Sequence, residues 1–204
     1  LDEKSLIKIL KEPTPRSVVS SVASGFGASA GNWYLAASYS DQDLQTNVEG
    51  DDDGSIVFGT GLGNPKENFG YEVAVGITSV STPWWGDGKF ADEGNLNLKV
   101  HKELAPFLAG RAASLAVGAS NIFGWGDTTE IPTNYYIAYS EKFTFGEFDH
   151  YGASTSIGYG TSVSDGESSA DLFGGVGIAR SNYNGSLSFI GNEAHLSITW
   201  YVPK

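Results

Sequence analysis

The stretch "FGYEVAVGITSV" (69–80) alternates two unlike kinds of side chain. One face carries Tyr71, Val73, Val75 and Ile77; the other carries Glu72, Ala74, Gly76 and Thr78. A period of two marks a strand with different environments on its two sides. It leaves two readings. In a soluble sandwich the large face packs into a core and the other meets water. In a membrane barrel the large face meets lipid and the small, polar face looks into a lumen.

The pattern recurs in ten segments: 32–39, 55–62, 71–80, 95–101, 113–122, 135–143, 151–161, 171–180, 185–190 and 194–202. Turn residues separate them, which describes an all-β meander. Short connections such as "GNPKEN" (63–68), "GEFD" (146–149) and "SNYN" (181–184) contrast with long acidic ones at 41–54, 81–94, 124–134 and 162–170. Tight turns at one end and loose ones at the other suit an up-and-down barrel of about 10–12 antiparallel strands. Ahead of the strands, "SLIKILKE" mixes Leu6, Ile7, Ile9 and Leu10 with lysines and is expected to form a short amphipathic helix ended by Pro13 and Pro15. Residues 1–16 are thus read as helix and linker, and 17–204 as the barrel domain. The Gly/Ser-rich "SVVSSVASGFGASA" (17–30) reads as a weak strand or as a segment laid along an inner wall.

The small face separates the two readings. It holds Ala36, Gly59, Gly61, Ala74, Gly76, Ser114, Ala116, Gly118, Ser154, Ser156, Gly175 and Gly177. A solvated sheet face favours long or β-branched polar residues. Gly, Ala and Ser suit a cramped interior instead. The large face, with Leu35, Val75, Leu98, Leu115, Val117, Ile137, Ile157, Ile178 and Ile198, would then point outward. The polar residues Glu72, Asn97, Lys99, His101, Lys142 and His195 share the small-residue face and are expected to line the lumen. A Lys at mid-height on a lipid face would cost about 2–4 kcal/mol. Aromatics near segment ends, including Tyr135–Tyr136 and Phe143–Phe145, fit interfacial girdles.

Formal charge is −12, which argues against nucleic-acid binding, since that needs basic patches to neutralise phosphates. No run approaches the roughly 20 apolar residues of a transmembrane helix. Cysteine is absent, so no disulfide framework or thiolate metal site is available. The opening Leu1–Asp2–Glu3, without Met, is what an exported chain would show after removal of a signal peptide.

Candidate chemistry is sparse. "EGDDDG" (49–54) and "GDGKFADEGN" (86–95) gather carboxylates and glycines, making Asp51, Asp53, Asp87, Asp92 and Glu93 candidate Ca²⁺ ligands. Neither loop has EF-hand spacing, and a solvated acidic turn explains both. Otherwise no cofactor is expected. Trp84, Trp85 and Trp125 stand beside Asp in exposed-looking loops, a combination suited to stacking on sugars or to an interface. No G-x-S-x-G elbow accompanies the histidines, so an enzyme is not expected.

Three stretches, "SGFGASAGNWYLAASYS" (24–40), "NIFGWGDT" (121–128) and "DLFGGVGIA…LSFIGNEAHLSITWYVP" (171–203), resemble a poorly characterised family of barrel-like proteins encoded by cyanobacteria and destined for the outer membrane. The likeness spans most of the chain after Ser17 and rests on Gly and aromatic patterns. In that family the chain runs on for a further strand pair past the position of Pro203. The resemblance implies an outer-membrane barrel and brings no catalytic residues. The expected function is a small pore or a structural envelope protein, with lipid or a protein assembly, including further copies of itself, as partner. The alternative is a secreted or virion-surface β-protein with a binding or assembly role, carbohydrate among its ligands.

Overall fold

Among the described residues each strand pairs with its neighbours in sequence, giving one ten-stranded antiparallel sheet in the order β1 to β10, with a single parallel bridge from Ala30 to Gly61 of β2. The strands are β1 (Trp33–Ser40), β2 (Asp53–Gly63), β3 (Gly70–Ile77), β4 (Gly94–Leu104) and β5 (Arg111–Trp125), then β6 (Asn134–Phe145), β7 (Tyr151–Gly160), β8 (Asp171–Arg180), β9 (Tyr183–Ile190) and β10 (Glu193–Trp200). The computed structural model describes residues 19, 22–40, 53–78, 90–105, 111–145, 151–162, 170–180, 183–191 and 193–200. The helix expected near the N-terminus lies outside them, as do Asp51, Trp84, Trp85 and Asp87.

The sheet is not closed. β1 pairs only with β2 and β10 only with β9, so among the described residues the expected barrel has a seam between its first and last strands. Because the strand number is even, β1 starts and β10 ends at the same rim. The connections 64–69, 105–110, 146–150 and 181–182 turn at that rim, hereafter the short-turn rim. The connections 41–52, 78–93, 126–133 and 161–170 turn at the other, the long-loop rim, together with one short connection, 191–192, that breaks the alternation of lengths.

Burial is inverted relative to a water-soluble core. The buried residues include Ala74, Ala116, Ala138, Ser114, Ser140, Ser154, Ser186 and Ser188, whereas Leu35, Leu98, Leu115, Val117, Ile137, Ile157, Val176 and Ile178 are exposed. Leu196 and Ile198 on the last strand are each 81 % exposed. The small face is therefore the inner one. Its hydroxyls satisfy one another: Ser140 and Ser156 Oγ lie 2.6 Å apart, Ser186 and Ser197 2.7 Å, and Ser114 donates to the Lys102 carbonyl at 3.0 Å. Each such bond contributes about 0.5–1.5 kcal/mol net, and leaving it unmade would cost more.

Four inward glycines sit directly across from a ring. Tyr34 faces Gly59, His101 faces Gly70, Tyr136 faces Gly118 and Phe173 faces Gly158. A Cβ on any of these glycines would run into the ring lying over it. The rings thus fill space that the glycines leave, which packs an inner wall with little strand propensity of its own.

β5 carries the one marked irregularity. Between Leu96 and Leu98 of β4 its register jumps from Phe123 to Ala119, a bulge centred on Asn121. Asn121 has φ 55°, a left-handed conformation that Asn tolerates better than most residues. Its backbone N–H donates to Asn97 Oδ1 at 2.9 Å, and its side-chain amide donates to the carbonyls of Thr128 and Ile131 at 2.9 and 2.6 Å. The bulge thereby fastens the 3₁₀ turn Gly126–Glu130 over the long-loop rim.

Candidate functional site

The inner face encloses part of the chain itself. Residues 22–31 run across it toward the short-turn rim, where Gly31, with φ 81°, completes a turn into β1. That turn is closed by Asn32 N–H to the Ser29 carbonyl at 2.9 Å and tied to β2 by Ala30 N–H to the Gly63 carbonyl at 2.9 Å. Small residues make the passage feasible. A Cβ at Gly25 would strike the backbone of Ser114 and Ser140, and one at Gly27 would crowd the His101 ring and the Glu72 carboxylate.

A half-buried extended segment, with Gly25 fully buried, must have its peptide groups answered, or each buried orphan costs about 1–3 kcal/mol. Here the partners are inward side chains of three strands. From β3, Glu72 Oε2 accepts the Ala28 N–H at 2.7 Å. From β4, Lys99 Nζ donates to the Phe26 carbonyl at 3.3 Å and His101 Nε2 lies 3.0 Å from the Ala28 carbonyl. A carbonyl only accepts, so Nε2 carries the hydrogen. From β6, Ser140 Oγ accepts the Gly25 N–H at 2.8 Å, and the Lys142 ammonium stands 4.4 Å from the centroid of the Phe26 ring.

Glu72 is the hub. Lys99 is its direct cross-strand partner, with Nζ 3.2 Å from Oε1, and the two side chains are only 14 % and 10 % exposed. Tyr34 donates its hydroxyl to the same Oε1 at 3.2 Å. His101 is 2 % exposed, and its Nδ1 is buried with no hydrogen-bond partner among the described residues. Beyond the segment, toward the long-loop rim, a cavity of about 260 Å³ is lined by Val22, Ala23, Ser120, Asn134, Tyr136, Phe173 and Ile190.

Of the residues expected to line a lumen, Glu72, Lys99, His101 and Lys142 are thus gathered around residues 25–28. Asn97 is drawn instead to the β5 bulge, and His195 lies apart, its Nε2 3.6 Å from Glu193. Asp92 is exposed and Glu93 half-buried before β4, and Asp53 opens β2; among the described residues no three His, Asp or Glu gather as a metal site. Trp125 donates Nε1–H to the Ala91 carbonyl at 2.9 Å and packs over Gly94 on the outer face. Of the two readings of 17–30, the segment laid along an inner wall is the one seen for residues 22–31; that its peptide groups would bind Glu72, Lys99, His101 and Ser140 was not part of the expectation. Comparison with protein-family models, with curated proteins and with solved structures returned no match.

Proposed function

We propose that the chain is an outer-membrane β-barrel, closed along the seam by β1 against β10, whose lumen is occupied by its own residues 22–31. One observation carries this reading: large apolar side chains stand exposed around the outer face, and the charged residues of the strands are turned inward or lie toward the strand ends. Leu35, Val117, Ile137, Ile157, Val176 and Leu187 make an aliphatic band. Aromatics flank it, with Tyr71, Phe145 and Tyr183 toward the short-turn rim and Phe123, Tyr135 and Tyr159 toward the other. Exposed to water, a band this continuous would drive association; against lipid it is the expected arrangement.

Strand length supports the same reading. The strands run from 8 residues in β1 to 15 in β5, against the roughly 9–11 that a tilted strand needs to cross a bilayer. Closure follows the same logic. β1 and β10 are antiparallel by parity, and both keep large residues outward, Trp33 and Leu35 on one and Leu196 and Ile198 on the other. An open edge in a bilayer leaves peptide groups unpaired at several kcal/mol each, so lipid favours the seam's closing. With residues 22–31 in place the barrel is a plugged structural element of the envelope rather than an open pore.

Fractionation and gel mobility test this. The native protein should stay with the outer membrane, require detergent for extraction, and migrate faster unheated than after boiling. A monomer or defined oligomer dispersed in plain buffer would refute it and make the apolar band an interface between protein chains.

A further inference from the structure

The outward charges of the described strands are confined to one rim. They are Lys102, Arg111, Glu141 and Arg180, and all lie toward the short-turn end. Glu141 is committed to Arg111, with Oε2 2.7 Å from Nη1. Lys102 and Arg180 have no carboxylate partner among the described residues, although Lys102 Nζ spends one of its hydrogens on the Glu67 carbonyl at 2.8 Å. Each cation also lies over an aromatic ring: Lys102 at 6.0 Å from the Phe69 centroid, Arg111 at 4.7 Å from Phe143 and Arg180 at 5.2 Å from Tyr151. The long-loop rim is the opposite. Its outward strand ends are uncharged, and its connections carry acids such as Asp92, Asp127 and Glu130. The short-turn connection 64–69 adds Lys66 and Glu67, so among the described outward and turn residues of this rim four cations, three of them placed over rings, stand against two acids, Glu67 and Glu141.

We infer that the short-turn rim is a ledge for anionic phospholipid headgroups, with Arg180 and Lys102 as its phosphate-binding cations. This rests on the membrane reading above. A guanidinium held over a ring, as Arg180 is over Tyr151, leaves N–H groups unused by the ring, and these match the oxygens of a phosphate. The ring below it belongs at the headgroup level, where amphipathic aromatics settle. Arg111, already neutralised by Glu141, orders the row rather than adding charge. The ledge also fixes orientation: the leaflet richer in anionic phospholipid meets the short turns, and the acidic loops project from the other side, away from like charge.

The full chain is mixed with vesicles of phosphatidylcholine alone or with added phosphatidylglycerol, and flotation gives the ratio of the two partition coefficients. Because this is a ratio on one variant, changes in fold common to both lipids cancel. The wild type should show a ratio well above one at low salt that collapses at high salt. Arg180→Gln and Lys102→Gln should each lower the ratio about fivefold, whereas Arg180→Lys should retain most of it and Glu130→Gln, at the far rim, should leave it unchanged. Glu147 and Asp149, in a connection outside the described residues, are left intact throughout. A ratio near one for the wild type, or one insensitive to both Gln variants, overturns the ledge while leaving the membrane reading standing. Failure to float with either vesicle overturns the membrane reading itself.

Discussion

Replacing Glu72 by Ala probes whether the interior is dry and filled. The carboxylate answers three groups at once: the Lys99 ammonium at 3.2 Å, the Ala28 N–H at 2.7 Å and the Tyr34 hydroxyl at 3.2 Å. Its loss leaves Lys99 with the Phe26 carbonyl as its remaining described partner, in a place where its side chain is 14 % exposed. Breaking a buried pair from one side costs about 3–5 kcal/mol, because the surviving charge stays desolvated. Against a total stability of about 5–15 kcal/mol, that is a large fraction. Urea unfolding of the refolded, detergent-solubilised protein, followed by tryptophan fluorescence, should show the midpoint falling by one molar or more. The paired change Glu72→Leu with Lys99→Met removes both charges and should recover to within about 2 kcal/mol of wild type, giving a coupling energy of comparable size. A loss under about 1 kcal/mol for Glu72→Ala would mean that the pair is screened by water. The inner segment would then not occupy the lumen as described.

Two further perturbations address the outer face and the plug. Val117→Arg, at a position 51 % exposed on the apolar band, should block vesicle insertion or destabilise the inserted protein by about 2–4 kcal/mol in folding titrations, while Gly118→Leu next to it should fail by crowding the Tyr136 ring, at about 1–3 kcal/mol. Equal tolerance of Arg and Leu at the two positions would contradict the assignment of faces. Ser24→Cys with Ser140→Cys, whose hydroxyls are 3.3 Å apart, should oxidise to an internal disulfide in the folded protein, detectable as a gel shift that reductant reverses. The chain has no other cysteine, so a cross-link that forms only after denaturation would place the segment elsewhere.

The strands were legible because period-two alternation is a local signal, and where it failed there is a local reason. The segment expected at 113–122 continues as β5 to Trp125, and the missing residues lie just past Asn121, where the bulge adds two residues to β5 and interrupts the alternation without changing its phase. Inward polar residues could be assigned by parity alone, which put Glu72 and Lys99 on one face. That they stand directly opposite depends on register, which periodicity does not encode. The same holds for the four ring-over-glycine pairs: each glycine and each ring is plain in the sequence, their apposition is not. Least legible was the cluster's occupant. Residues 25–28 bind through peptide N–H and C=O groups, so the small-residue composition could offer an inner-wall path for 17–30 without indicating which side chains would grip it. The open seam was missed for a related reason, since alternation fixes faces and is silent about edges.

The turn at residues 29–32 has a consequence for how the molecule can assemble. It ties a stretch lying within the sheet to the strand that borders the seam, so the stretch cannot be pushed in afterwards through a finished cylinder without threading, which proteins avoid. The wall must wrap around it, beginning with β3, β4 and β6, whose side chains grip it. In the proposed closed barrel β1 meets β10 over it, bringing the first strand of the sheet to the last. Closing the seam is then the contact of greatest sequence separation in the molecule, and such contacts form slowly. The rate at which the barrel matures would be set by this last closure rather than by the nine hairpin pairings that precede it.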